Sequence, residues 1–245
     1  MQFCCASFRC SLLQPRSPSN LKRAKSNCTT AMPAVTELAL LTQTPKATPA
    51  TTADFLQRVR TETETWTRRP GTVRYLRAVD DPNAIYIVGQ WATVAEHMEG
   101  FIPSPGNQEL LREGAELFEL GDLFLHFDAD VSSTLRGEGE EVEITRYVLR
   151  EGPGRREVVD EAWGRVLAAC GAEGAGRVGG GWRLDGLDEG GGSAGEFVVF
   201  RASAVDGDVG DRIGSAAQGF NVDLRDCVLR KQVTRAVEVY PAKNE

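Results

Sequence analysis

The sequence predicts an α+β fold of two tandem ferredoxin-like units, each an antiparallel sheet with two helices on one face. Three observations predict it. Residues 35–127 read as strand, helix, two strands joined by a tight turn, helical stretch and strand. Residues 142–240 repeat that β-α-β-β-α-β order at similar spacing, with Tyr75 before Asp80-Asp81 matched by Trp182 before Asp188-Glu189. The length, 245 residues, suits two small domains. The units fall at 34–131 and 142–241, joined by a linker at 132–141 and preceded by a disordered extension at 1–33.

In the first unit, residues 35–43 are rich in leucine and β-branched residues and are followed by the breakers Pro45 and Pro49, as for a strand. Thr51 or Thr52 can cap the next helix, and Phe55, Val59 and Trp66 share one of its faces. Arg68 and Arg69 suit its C-terminal end, and Pro70-Gly71 stops it. Val73 and Tyr75 lie on the second strand, before the turn Asp80-Asp81-Pro82-Asn83. Residues 85–91 are the most apolar strand, as expected in mid-sheet. Thr93 can cap a helix start holding Glu96, His97 and Met98. Pro103 and Pro105 interrupt it, and a helix is expected to resume over 107–120, with Leu110, Leu111, Leu117 and Phe118 inward. Residues 123–127 make the fourth strand.

In the second unit, strands are expected at 142–150, 178–187, 196–203 and 227–240, with helices at 157–170 and 206–218. Val158, Val159, Ala162, Val166 and Leu167 are the first helix's candidate core. This copy has no counterpart to Trp91 or His97 and reads as a degenerate cover for the first sheet. The apolar sheet face left bare by each unit's helices must be covered, and sheet-to-sheet packing is the simplest cover. Two motif matches are coincidental. The GxGxxG match at 174–179 follows a helix and leads into a strand, the reverse of a dinucleotide site. The GxSxG match at 191–195 joins two strands, whereas a nucleophile elbow joins strand to helix.

Composition excludes several classes. No apolar run approaches the ~20 residues of a membrane span. A net charge of -7 with scattered basic residues argues against nucleic acid. Of six cysteines, only Cys170 and Cys227 lie outside the N-terminal tail, and no CxxC pair occurs, so neither a disulfide framework nor a zinc site is expected. A reducing compartment, the cytoplasm, follows. Residues 1–31 carry Arg9, Arg16, Lys22, Arg23 and Lys25 but no acid. They read as an upstream segment before a working start at Met32, as a mitochondrial transit peptide, or as a plain tail. Pro15 and Pro18 weaken the transit reading.

Pro70-Gly71, Tyr75, the Asp81-Pro82 turn, the strand into Trp91, then His97 and Ser104-Pro105-x-Asn107-Gln108 resemble the antibiotic biosynthesis monooxygenase family, most of all its fungal tandem-domain members. The resemblance covers residues 35–130 and extends to the remainder by topology. It implies a dimeric α/β barrel, closed here within one chain as an intramolecular pseudo-dimer, with further homodimerisation left open. It also implies a pocket between sheet and helices for an apolar, often aromatic, small molecule. Some members oxidise phenolic polyketides with oxygen and no metal or flavin, so no cofactor is expected. Others degrade haem.

The candidate catalytic residue is His97, an imidazole suited to general-base work near neutral pH; the plain alternative is a helix-start histidine bonded to a loop. The candidate substrate-binding residues are Trp91, Tyr75, Trp66 and Phe101. Trp91 could stack on an aromatic ligand or serve as core, and Tyr75 could donate to a ligand oxygen. His126, beside Asp128 and Asp130, is a weak metal candidate, and a solvated strand end is the simpler reading. A cofactor-independent monooxygenase is the leading functional reading. A non-catalytic small-molecule-binding or stress-response protein of the same fold is the alternative.

Overall fold

A computed structural model of the chain describes residues 35–135, 137, 139–185, 195–202 and 208–239. The expectations for residues 1–33, for the loop at 186–194 and for the tip of the last strand at Tyr240 lie outside the described residues. The strands are β1 (Val35–Gln43), β2 (Val73–Ala78), β3 (Ala84–Trp91), β4 (Phe118–Phe127), β5 (Glu141–Leu149), β6 (Val178–Trp182), β7 (Glu196–Ala202) and β8 (Val228–Val239). The helices are α1 (Pro49–Thr67), α2 (Pro105–Gly114), α3 (Arg155–Gly174) and α4 (Asp208–Asp223), with a π-helical turn at Glu96–Phe101.

All eight strands form one antiparallel sheet in the order β4-β1-β3-β2-β8-β5-β7-β6. The two halves join where β2 pairs with β8, Tyr75 opposite Val239. The outer strands then meet. Phe127 bridges Arg183, the Leu184 amide donates to the His126 carbonyl at 2.7 Å, and the Asp128 amide donates to the Trp182 carbonyl at 2.9 Å. The Asp128 carboxylate also accepts the Trp182 amide. The sheet is therefore closed into a barrel, which removes the liability of an open edge at this point. Glycine at 181 permits the closure: a Cβ there would lie 2.7 Å from the Asp128 carbonyl oxygen.

Strand alternation divides the core in two. Leu38, Leu76, Tyr86, Val88, Leu125, Phe127, Val142, Ile144, Val198, Phe200 and Ala236 fill the barrel interior, with contributions from both halves. The alternate residues face outward onto the helices. Phe55, Leu56, Val73, Tyr75, Ile85, Leu110 and Phe118 pack there in the first half. Tyr147, Val159, Ala162, Val166, Phe197, Ile213 and Phe220 do so in the second. Instead of two sheets packed face to face, one sheet curls on itself and buries its inner face in a shared interior.

Several expectations are corrected. Pro49 opens α1 rather than merely ending β1. Thr48 is its cap, and Thr48 and Thr51 exchange a capping box, because proline suits the first helical position. The helix expected over 107–120 ends at Gly114, and Leu117 and Phe118 belong to the approach and start of β4. The free edge of β1 claims this run, pairing Gln43 with Phe118, so sheet pairing overrides helical spacing. Leu111 of α2 is exposed at the cavity mouth instead of buried, and Val158 and Leu167 on α3 are exposed as well. The observed α3 stripe is Val159, Ala162, Val166 and Cys170. The strand expected at 178–187 ends at Trp182, and the helix at 206–218 extends to Asp223. No helix among the described residues is long and apolar enough to cross a membrane.

Gly181→Ala is expected to cost about 1–3 kcal/mol, because the added methyl must push Asp128 away from the closure. Urea unfolding of the two proteins checks it, and equal stabilities would contradict the role given to this contact.

Candidate functional site

The outward face of the first half does not pack tightly under its helices. A cavity of about 260 Å³ lies between β1, β3 and β4 on one side and α1, the π turn and α2 on the other. An engineered apolar cavity of ~150 Å³ takes benzene, so this space admits a larger aromatic molecule. Ala39, Leu41, Phe55, Val59, Ile87 and Phe124 supply most of the apolar wall. Met98, Leu111 and Leu120 also line it and are partly solvent-exposed, which places the mouth between the π turn, α2 and β4.

Few polar groups face this space. Thr63 donates to the Val59 carbonyl and Asn107 donates one amide N–H to the Ile102 carbonyl, which ties both side chains to the scaffold. Glu37 and His97 remain. Glu37 stands on β1 directly across from Gly89 of β3 and His126 of β4. A Cβ at position 89 would lie 2.5 Å from the Glu37 carboxylate, so glycine makes the room it occupies. One carboxylate oxygen accepts the Trp91 indole N–H at 3.0 Å.

His97 is fixed by the π turn, a form of helix that recurs at functional sites. Its carbonyl accepts the Ile102 amide, five residues on. Glu96 anchors the turn, accepting from the Ala92 amide at 2.5 Å and from Arg69 at 2.6 Å. The His97 ring stacks on Trp91 with centroids 4.1 Å apart and planes within 12°. Its Nδ1 lies 2.7 Å from His126 Nε2, a hydrogen bond whose direction depends on tautomer. Its Nε2 lies 3.6 Å from Glu37 Oε2, beyond hydrogen-bond length but in range for charge interaction.

His126 in turn binds Asp185, which the chain carries just past the barrel closure. The Asp185 carboxylate accepts the His126 ring at Nδ1, 2.8 Å, and the His126 amide through its other oxygen. The four side chains form one row, Glu37, His97, His126, Asp185, running from the pocket to a partly exposed end.

Burial sets the protonation of this row. It pushes the Glu37 carboxyl up to about 7, against the lowering effects of the Trp91 N–H and of His126. Burial, with the neighbouring His126, lowers His97 to about 3, so its ring is neutral at physiological pH. Burial also pushes Asp185 upward, but the hydrogen bonds from the His126 ring and amide outweigh it and hold Asp185 below its ordinary value.

Of the residues singled out in the sequence, Trp91, His97 and Phe101 line the cavity. Tyr75 and Trp66 do not. The Tyr75 hydroxyl donates to the Leu56 carbonyl at 2.7 Å in the packed core, and burial raises its pKa further above the ordinary tyrosine value. Trp66 packs edge-on against Trp91 and Phe101 from behind. His126 is drawn to His97 and Asp185, while Asp128 serves the Trp182 amide and Asp130 caps Ser132. No group of three or more His, Cys, Asp and Glu able to hold a metal occurs among the described residues. Sequence reasoning missed Glu37 and Asp185. The signal for Glu37 was available: a carboxylate inside an otherwise apolar strand.

The second half differs at the equivalent place. Glu143 of β5 stands opposite Arg201 of β7, and the two pair at 3.0 Å. Trp163, Phe197 and Phe220 pack edge to face there, leaving a cavity of only about 30 Å³.

No protein-family model matches the chain, and no curated protein matches it. Solved structures do. A "putative monooxygenase" from Lactobacillus acidophilus NCFM superposes with a TM-score of 0.58 at 8% identity, over 84% of this chain and 93% of that one. A second, from Fusobacterium nucleatum, gives 0.57 at 9% identity over 85% and 93%. A "putative chlorite dismutase" gives 0.52 at 9% identity over 85% and 96%. The chain has the dimeric α/β barrel fold. At these identities the likeness concerns fold and leaves the chemistry to the residues themselves.

Replacing Glu37 by a group that does not titrate has a calculable effect. The folded-state pKa of about 7 exceeds the ordinary 4.5, so the folded protein holds this proton more tightly than the unfolded chain. The resulting stability is full below the ordinary value and is lost as pH rises through about 7. Relative to wild type, Glu37→Gln is therefore expected to gain about 2–3 kcal/mol between pH 4 and pH 8. Urea unfolding across that range checks it. A difference that does not vary with pH would contradict the placement of this carboxyl.

Proposed function

We propose that the chain binds an apolar, aromatic small molecule in the first-half cavity and removes a proton from it, so that the resulting carbanion reacts with oxygen without a bound cofactor. The observation that carries this reading is the Glu37 carboxylate, set in an apolar pocket with its pKa brought near neutrality. In this reading the chain is an antibiotic biosynthesis monooxygenase-like protein. Its two ferredoxin-like units, at 34–131 and 142–241, form an intramolecular pseudo-dimer. The repeated β-α-β-β-α-β order supports that description. The oxidative names of the fold neighbours agree with it.

Each group has a role in the reading. Trp91 and Phe101, packed on each other, form one wall for the ligand's rings, and Phe124 extends the wall beside His97. Glu37, ionised once the pH exceeds about 7, takes the proton. Burial opposes the protonated form of His97, so it is not the first acceptor. It stands beside Glu37 in the cavity wall and hands the proton on. For an anthrone the balance is simple. The ring CH2 becomes C=O, one oxygen atom enters the product and the other leaves as water, with O2 as the four-electron oxidant. The alternative, a binding protein with no turnover, is favoured by the nearly unbroken apolar wall.

Oxygen uptake with anthrone as probe separates the two. The wild type is expected to consume one O2 per anthraquinone formed. Glu37→Gln is expected to slow this by about 10²–10⁴-fold while anthrone still raises the melting temperature. Binding without uptake in the wild type supports the alternative. Uptake unaffected by Glu37→Gln removes Glu37 from the chemistry.

A further inference from the structure

We propose that Glu37, His97, His126 and Asp185 form a proton relay that carries the proton taken up in the pocket to His126, whose charge is balanced by the Asp185 carboxylate that the second half supplies across the barrel closure. This deepens the reading given above for the same site and rests on it. Two links are in hydrogen-bond contact, 2.7 Å from His97 to His126 and 2.8 Å from His126 to Asp185, and the first, from Glu37 to His97, is 3.6 Å and must shorten for transfer. The burial is graded. The side chains of His97 and His126 are 2% and 1% exposed, whereas that of Asp185 is 24% exposed. Buried imidazoles normally end on a backbone carbonyl or a structural carboxylate. Here two in series join a pocket carboxylate to one at the surface.

The bonds balance as follows. Before turnover Asp185 is ionised and accepts the His126 Nδ1–H, leaving His126 Nε2 as an acceptor. His97 then donates from Nδ1 and presents a bare Nε2 to Glu37. When Glu37 has gained a proton, its O–H breaks as His97 Nε2–H forms, and His97 Nδ1–H breaks as His126 Nε2–H forms. Glu37 is again a carboxylate, His97 is the other neutral tautomer, and the positive charge rests on His126 against Asp185. His97 is never required to be an imidazolium, which its burial would oppose. The reverse movement returns the proton to the peroxide formed when the carbanion has combined with O2. His126 and Asp185 touch neither substrate nor pocket in this scheme and are positioning residues.

The chain has only two histidines, so histidine labelled with nitrogen-15 reports four ring nitrogens. The groups facing these rings are Glu37 from β1, Trp91 from β3, Phe124 from β4, and Asp185 with Arg183 beside it. In the unmodified protein, a coupling across the hydrogen bond between His97 Nδ1 and His126 Nε2 is expected. The nitrogen shifts are also expected to show both rings neutral and protonated at Nδ1, His97 toward His126 and His126 toward Asp185. Asp185→Asn is expected to change the tautomer signature at both rings. With anthrone and O2 it is expected to lower kcat at least tenfold with KM unchanged. Protons on the opposite ring nitrogens, no coupling, or a His97 signal indifferent to Asp185→Asn in a folded protein would overturn the relay. The coupling and the tautomers need no variant, so they decide the matter even if Asp185→Asn does not fold. If anthrone is not oxidised by the wild type, the proposed function fails while the nitrogen spectra still judge the relay.

Discussion

The contact on which the site depends is the closure of the sheet between Phe127 and Arg183. His126 of β4 and Asp128 just past it exchange backbone hydrogen bonds with Leu184 and Trp182 at the end of β6, and Asp128 adds a carboxylate to the Trp182 amide. The closure finishes the barrel, and it also sets what can meet on the outer surface. His126 is one residue before the bridging position on one strand, and Asp185 is two residues after it on the other. Without closure, His126 would end on solvent and His97 would face an unanchored ring. The second half thus continues the sheet of the first and also supplies one member of its polar row.

The two halves use one plan with opposite filling. Glu37 and Glu143 are each the third residue of the first strand in their half, and each faces the third strand. Opposite Glu143 stands Arg201, which neutralises it, and the space above is packed with Trp163, Phe197 and Phe220. Opposite Glu37 stands Gly89, which adds neither charge nor bulk, and the space above is hollow. A buried carboxylate facing an apolar cavity is costly unless it takes up a proton or acts on a ligand. An apolar residue at position 37 would fill this wall at no such cost, so the carboxylate is better explained by chemistry than by packing.

Much of the fold was legible because the signals were local. The bounds of β1 follow from its apolar run and the two prolines, and those of β3 from the stretch between the Asp81-Pro82 turn and Trp91. The run from Leu117 to Leu120 was misread because helical spacing and strand alternation both fit it, and only the edge of β1 decides between them. Val158 and Leu167 were placed inward for a similar reason: the true stripe starts one residue later, at Val159. The pocket was legible through Trp91, His97 and Phe101, which are close in sequence. Tyr75 was not separable from them, since a tyrosine on an apolar strand serves a pocket or a core equally well until its hydroxyl finds the Leu56 carbonyl. The pairing of His126 with Asp185 spans 59 residues and exists only once the barrel closes, so no local pattern announces it.

Burial then gives the row its polarity. The pocket end is a carboxyl whose proton is held near neutral pH, the middle is a ring kept neutral, and the outer end is a carboxylate kept ionised by two hydrogen bonds. A crystal structure with anthraquinone soaked into the protein tests this account most directly. The account requires the rings to lie in the first-half cavity, against His97 and Phe124, with the ring carbon that bears the oxygen nearest the Glu37 carboxyl. A ligand bound elsewhere, or a first-half cavity filled by its own side chains, would contradict it.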